Sequence, residues 1–166
     1  MKTGIILAGG LSSRMGEDKS LIHSNVDRLA AELRKSGCGR IIVMCGTEDR
    51  SSLFTETCVS DSAETLAESL LAVLSEIEGW VQLVPCDAYL ADAELFSKVD
   101  GVPLDDLGVR QPLIAGFESS TSLVNSLRIS EMFGELISCE GGVKARNINT
   151  PEQLKEIQSL LLKDGR

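Results

Sequence analysis

Short continuous apolar runs alternate with longer stretches whose apolar residues recur every three or four positions, and this alternation organises the first half of the chain. Thr3-Gly4-Ile5-Ile6-Leu7, Arg40-Ile41-Ile42-Val43-Met44-Cys45 and Trp80-Val81-Gln82-Leu83-Val84-Pro85 are runs of the first kind. They are too short for helices and rich in β-branched and bulky apolar residues, so each reads as a buried parallel strand. Between the first two, Ile22, Val26, Leu29, Ala30 and Leu33 predict a helix that starts near Asp18. Gly37 ends it after Arg34 and Lys35. Between the second and third, Gly46 to Cys58 is polar and turn-rich, and Leu66, Leu70, Leu71, Val73, Leu74 and Ile77 form the apolar side of a second helix. Asp61 and Ser62 are its candidate caps. Strand, helix and strand in this order give right-handed parallel crossovers.

The second half is less regular. Asp92 is placed to cap a short helix through Glu94, Leu95 and Phe96. Gly101 to Asp106 reads as a loop, and Leu107 to Phe117 as an extended segment in which Pro112 implies an edge or a bulge. One or two short helices are expected within Ser122 to Leu136, a turn over Ile137 to Gly142, and a last short strand over Val143 to Ile148. Thr150, Pro151 and Gln153 then predict a helix start: N-cap, first position and capping-box partner. No repeat, low-complexity tract or linker divides the chain, so residues 1–166 are expected to form a single domain.

Composition narrows this picture. Aromatic residues make up 4% of the 166, which suits helices packed on a parallel sheet better than an all-β sandwich. A net charge of −9 argues against a nucleic-acid surface, so any anionic ligand must be held by a local cluster of cations. The five cysteines, Cys38, Cys45, Cys58, Cys86 and Cys139, form no C-x-x-C pair and His23 is the only histidine, which disfavours a zinc site. Scattered thiols without a signal peptide point to a reducing cytoplasm. No apolar run approaches the roughly 20 residues needed to span a bilayer.

The candidate chemistry lies where the first strand ends. In Leu7-Ala8-Gly9-Gly10-Leu11-Ser12-Ser13-Arg14-Met15-Gly16-Glu17-Asp18-Lys19, paired glycines let the backbone approach an anion, and Arg14 and Lys19 supply a planar fork and a mobile point charge. A Gly-Gly turn with two solvated cations is the plain alternative. The string is neither a P-loop, since Gly16 is followed by Glu17, nor a Gly-x-Gly-x-x-Gly dinucleotide fingerprint. Asp87, at the carboxyl end of the third strand, is either a capping aspartate or a ligand for a divalent metal.

The string resembles the signature of the molybdenum cofactor guanylyltransferases, the MobA-like family of nucleotidyltransferases. Leu7, Ala8, Gly9, Gly10, Ser12, Arg14, Met15, Gly16, Asp18 and Lys19 all agree with it. The resemblance extends to Cys86-Asp87, to Gln111-Pro112-Leu113 and to Asn147-Ile148-Asn149-Thr150-Pro151-Glu152. It implies a three-layer α/β/α, Rossmann-like nucleotidyltransferase fold with a mostly parallel sheet. It further implies GMP transfer from magnesium GTP to the phosphate of molybdopterin, with hand-over to cofactor-assembly proteins. In those terms Leu7, Ala8, Gly9, Gly10, Lys19, Asp61 and Asp87 would bind nucleotide, and Lys19, Arg14 and Asp87 would be catalytic. Asp87 would hold Mg2+, and Asn147 and Asn149 would face the acceptor or tie a strand end to a helix cap. Glu64 and Glu68 stand where the family has glycines. Cytidylyl or guanylyl transfer to another phosphate, and a catalytically silent nucleotide- or partner-binding member, are the alternatives.

Overall fold

The computed structural model describes residues 2–7, 19–44, 57–59, 65–86 and 88–146, with the backbone alone described for 19–24 and 57–59. The three apolar runs are strands: β1 (Lys2–Leu7), β2 (Cys38–Met44) and, after the short β3 (Thr57–Val59), β4 (Trp80–Pro85). Helix α1 (Lys19–Lys35) joins β1 to β2, and α2 (Leu66–Leu74) lies between β3 and β4. The sheet runs β3-β2-β1-β4 in parallel, and β6 (Gly116–Glu118) adds antiparallel to β4. Thr57 and Cys58, expected in a turn, join Val59 as β3, because pairing with Ile42, Val43 and Met44 overrides a weak local pattern.

Strand periodicity sends alternate side chains to opposite faces. Ile6, Val43 and Val84 pack with Val26, Leu29, Ala30 and Leu33 of α1 and with Leu95 and Phe96 of α3 (Ala93–Lys98). Ile5, Leu7, Ile42, Met44, Val81 and Leu83 pack on the other side with Ala67, Leu70 and Leu74 of α2 and with Met132 and Phe133. The result is the expected three-layer α/β/α arrangement around a mostly parallel sheet. Helix α1 stops at Gly37, whose φ of 110° suits a residue without Cβ. The N-cap of α2 is Thr65, whose Oγ1 accepts from the Glu68 amide at 3.2 Å, not Asp61 or Ser62, which lie outside the described residues. Leu71, counted on the apolar side of that helix, is exposed. Asp92 caps α3 as expected, accepting from the Leu95 amide at 3.0 Å.

Beyond α3 the structure corrects several expectations. Val102–Asp105, read as loop, is β5, and Ser138–Gly142, read as a turn, is β7; the two pair in parallel as a separate sheet. Val-Pro-Leu-Asp and Ser-Cys-Glu-Gly-Gly lack the alternation and side chains that mark a strand. Leu107 to Phe117 is not one extended run: Arg110 bridges to Leu104, Pro112–Ile114 is a 3-10 turn, and β6 follows. Proline at the first position of that turn sacrifices no hydrogen bond. A single short helix, α4 (Ile129–Met132), occupies part of 122–136, and Val143–Ala145 is a 3-10 turn where a strand was expected. The helix expected from Thr150 falls outside the described residues. The two sheets meet where Gly101 and Gly116 exchange backbone hydrogen bonds of 2.8 and 3.0 Å. Gly101 has φ +104°, and a Cβ there would stand 2.2 Å from the Ile137 carbonyl oxygen.

Candidate active site

Parallel register brings four strand ends level. Leu7 stands opposite Met44 on one side and Pro85 on the other, and Met44 stands opposite Val59. Neighbouring strands lie about 4.8 Å apart, so the segments after these four residues all leave from one short edge. Open α/β sheets bind ligands at that carboxyl edge. These segments carry Ala8, Gly9, Gly10, Arg14, Asp61 and Asp87 in sequence. All six lie outside the described residues, as do Glu64, Asn147 and Asn149. Leu7 is described: its side chain is buried in the core, and its carbonyl accepts from the Cys86 amide at 2.9 Å. That bond ties the end of β1 to the residue before Asp87. Lys19 begins α1, which returns along the sheet from the same edge.

A polar stitch that the sequence reading did not identify joins α1 to the segment after β4. Asn25 is 5% exposed, and its Nδ2 donates to the Cys86 carbonyl at 2.7 Å. Arg28 donates from Nη2 to the Ala88 carbonyl at 2.9 Å, from Nη1 to the Ala91 carbonyl at 2.7 Å, and from Nε to Asn25 Oδ1 at 2.9 Å. One turn further, Glu32 Oε1 accepts from the Ala93 amide at 3.4 Å. Burial pulls the Arg28 pKa below its ordinary value, against the nearby Glu32 and Asp92 carboxylates that hold it up. The signal was present as Asn25, Arg28 and Glu32, spaced three and four apart beside the apolar stripe of α1, a spacing that places them on one helical face.

On the other face of the sheet, Glu68 is exposed in the first turn of α2, where a carboxylate is favoured by the helix dipole. It is solvated, not packed onto the strand ends. Gln111 of the Gln-Pro-Leu segment donates through Nε2 to Asp105 Oδ2 at 2.9 Å. Arg146, immediately before Asn147, is paired with Asp106. Lys144 Nζ lies 2.7 Å from Asp92 Oδ2, so the chain leading to Asn147 docks on the cap of α3.

Among the described residues no three His, Cys, Asp or Glu side chains gather where they could hold a metal. The Cys86 and Ala88 carbonyls are engaged by Asn25 and Arg28. One or two carboxylates with phosphate oxygens are the usual donors to Mg2+. In the sequence Asp87 is the one carboxylate between Cys86 and Ala91, a residue type suited to a divalent cation that arrives with a nucleotide.

The family model for the MobA-like NTP transferase domain matches residues 4–99. No protein of curated function matches the sequence. Solved structures of similar fold include a protein from Aquifex aeolicus VF5, with TM-score 0.68 and 19% identity over 89% of this chain and 93% of that one. A nucleotidyl transferase from Methanothermobacter thermautotroptrophicus has TM-score 0.65 and 15% identity over 99% of each chain. The 2-C-methyl-D-erythritol 4-phosphate cytidylyltransferase from Thermus thermophilus has TM-score 0.62 and 14% identity, covering 96% of this chain and 98% of that one. At these identities the likeness is one of fold. The family match itself takes in β1 through α3, with the whole level row of strand ends, and by it this chain belongs to the MobA-like NTP transferase domain family.

Proposed function

We propose that the chain, acting as one domain over residues 1–166, transfers GMP from magnesium GTP to the phosphate of molybdopterin and releases pyrophosphate. The observation that supports this reading best is the level row Val59, Met44, Leu7 and Pro85, from which the glycine loop, Asp61 and Asp87 all depart. An acceptor phosphate is already ionised near neutral pH, so its oxygen attacks the α-phosphorus without a general base. The bond from that phosphorus to the bridging oxygen breaks, and pyrophosphate leaves. Amides of Ala8, Gly9 and Gly10 cradle the nucleotide. Lys19 offsets charge growing at the α-phosphate, Arg14 holds the departing phosphates, and Asp61 reads the base. Asp87 anchors Mg2+, which neutralises phosphate charge when bound. Asn147 and Asn149 receive the pterin, because the Asn-x-Asn-Thr-Pro-Glu segment is where the family resemblance places the acceptor. The reduced thiols of Cys38 and Cys139 suit a reducing cytoplasm, where cofactor-assembly proteins would accept the product.

Calorimetric titration with GTP, CTP and ATP, each with magnesium, tests the reading. Selective binding of GTP that disappears in Asp87→Ala is expected. With molybdopterin added, Lys19→Ala should lower pyrophosphate release by about 10²–10³-fold, the effect of removing one charge-stabilising donor. Preference for CTP would replace the guanylyl assignment by a cytidylyl one. Failure to bind any nucleotide would overturn the enzymatic reading and leave a partner-binding member of the family.

A further inference from the structure

The Asn25 and Arg28 stitch is costly for a merely structural tie. It places an almost fully buried amide and a half-buried guanidinium beside Val26, Leu29, Ala30 and Leu33, all buried apolar residues of the same helix. An apolar side chain there would spare the desolvation of a charge but would leave the carbonyls of Cys86, Ala88 and Ala91 without these donors. What polar groups add is direction. Asn25 takes the carbonyl immediately before position 87, and Arg28 takes the one immediately after it and a third at Ala91. The Cys86 amide is meanwhile held by the Leu7 carbonyl and the Ala88 amide by Pro85. Cys86 and Ala88, the residues that flank position 87, are thus held from α1, from β1 and from β4, and their carbonyl oxygens are turned toward donors on α1. A carbonyl directed at the level edge would oppose phosphate oxygens and compete with a carboxylate for a cation.

We infer that Asn25 and Arg28 are positioning residues for the metal-nucleotide site: α1 holds the residues on either side of position 87 and so determines how tightly a divalent cation is held with the nucleotide. The inference rests on the proposed nucleotide site and adds to it two residues that touch neither nucleotide nor metal. The guanidinium acts as a fork, not as a charge. Lysine at position 28 would keep the positive charge and the stem, but it cannot reach two carbonyls and the Asn25 amide oxygen in the same plane.

The test follows free Mn2+ by electron spin resonance as full-length protein is titrated in the presence of GTP and, separately, CTP. Wild type is compared with Arg28→Lys and Asn25→Ala, with Asn25→Ser as the milder substitution if Asn25→Ala does not fold. Thermal unfolding of each variant is recorded in parallel. The expected result is a roughly 10–100-fold weaker Mn2+ affinity in the nucleotide complex, the usual cost of losing a group that orients a metal ligand. Cooperative unfolding should persist, and saturating Mn2+ should restore nucleotide binding. Variants that melt earlier yet hold Mn2+ with the nucleotide as wild type does would overturn the inference and make the stitch structural. Equal affinity in Arg28→Lys and wild type would overturn the fork role in the same way. Wild type that takes up no Mn2+ with either nucleotide would overturn the underlying functional reading and this inference together, an outcome distinguished by the silence of the unmutated protein.

Discussion

The five-stranded sheet and the region around β7 are held together by different physical means, while β5 is largely buried, with Val102 in the same core as Ile5 and Leu83. In β1, β2 and β4 most side chains are buried, and the apolar ones meet helices on both faces. β7, by contrast, is largely exposed or half-buried, and the region around it relies on directed polar bonds. Asp105 Oδ1 accepts from the amides of Leu107 and Val109 at 2.8 and 3.0 Å, while its Oδ2 accepts from Gln111. Arg110 Nη2 donates to the carbonyls of Phe133 and Leu136 at 2.8 and 3.2 Å, and Nη1 reaches the Ser138 hydroxyl. Arg146 pairs with Asp106. Burial is additive and tolerant of detail, whereas a polar network depends on each member being in place.

Substitutions sharpen this contrast, beginning with the largest expected effect. Ile6→Ala, at a side chain with 0% exposure in the central strand, should cost about 2–5 kcal/mol, read as a lower denaturant midpoint for the whole chain. A loss confined to one element would mean that the main sheet is less cooperative than its packing implies. Gly101→Ala should cost at least about 1–3 kcal/mol from its backbone conformation, with further loss from the collision with Ile137. Hydrogen exchange should locate that damage at the junction of β5 with β6. Asp105→Ala leaves three donors without their carboxylate and should cost about 1–2 kcal/mol. Its signature is faster exchange in β5 and β7 while β1 and β4 stay protected; uniform acceleration would show that the small sheet is not separately held.

The smallest effect concerns pH. Lys35 holds the Glu32 carboxyl below its ordinary value, opposed by burial and assisted by the Ala93 amide. A depressed carboxylate contributes stability above its unfolded pKa of about 4.3 and loses it as pH falls through the lower folded value. The contribution should be roughly a few tenths of a kcal/mol, as for other ion pairs open to water. Comparing wild type with Glu32→Gln in melts between about pH 7 and pH 3 checks it, and the two curves should converge at the acid end.

The same distinction explains what the sequence could reveal. Residues 80–85 formed the expected strand without adjustment, because a continuous apolar run is itself the cause of a buried strand. The apolar stripe Val26, Leu29, Ala30 and Leu33 gave α1 for the same reason, and Asp92 announced the start of α3 by its position before the helix. Val102–Asp105 and Ser138–Gly142 gave no such signal, since their pairing depends on residues far away in the chain. At the candidate site the string of glycines and cations is the signal the sequence offers, and its residues 8–18 lie outside the described ones. Asn25 and Arg28 escaped notice because their targets are backbone carbonyls, which carry no identity in a sequence.

Among the described residues both outer strands of the main sheet, β3 and β6, are three residues long, beside inner strands of six or seven. The unpaired peptide groups they present sideways are therefore few. A second copy approaching either edge of the main sheet thus finds, among the described residues, a short template for extending the ladder.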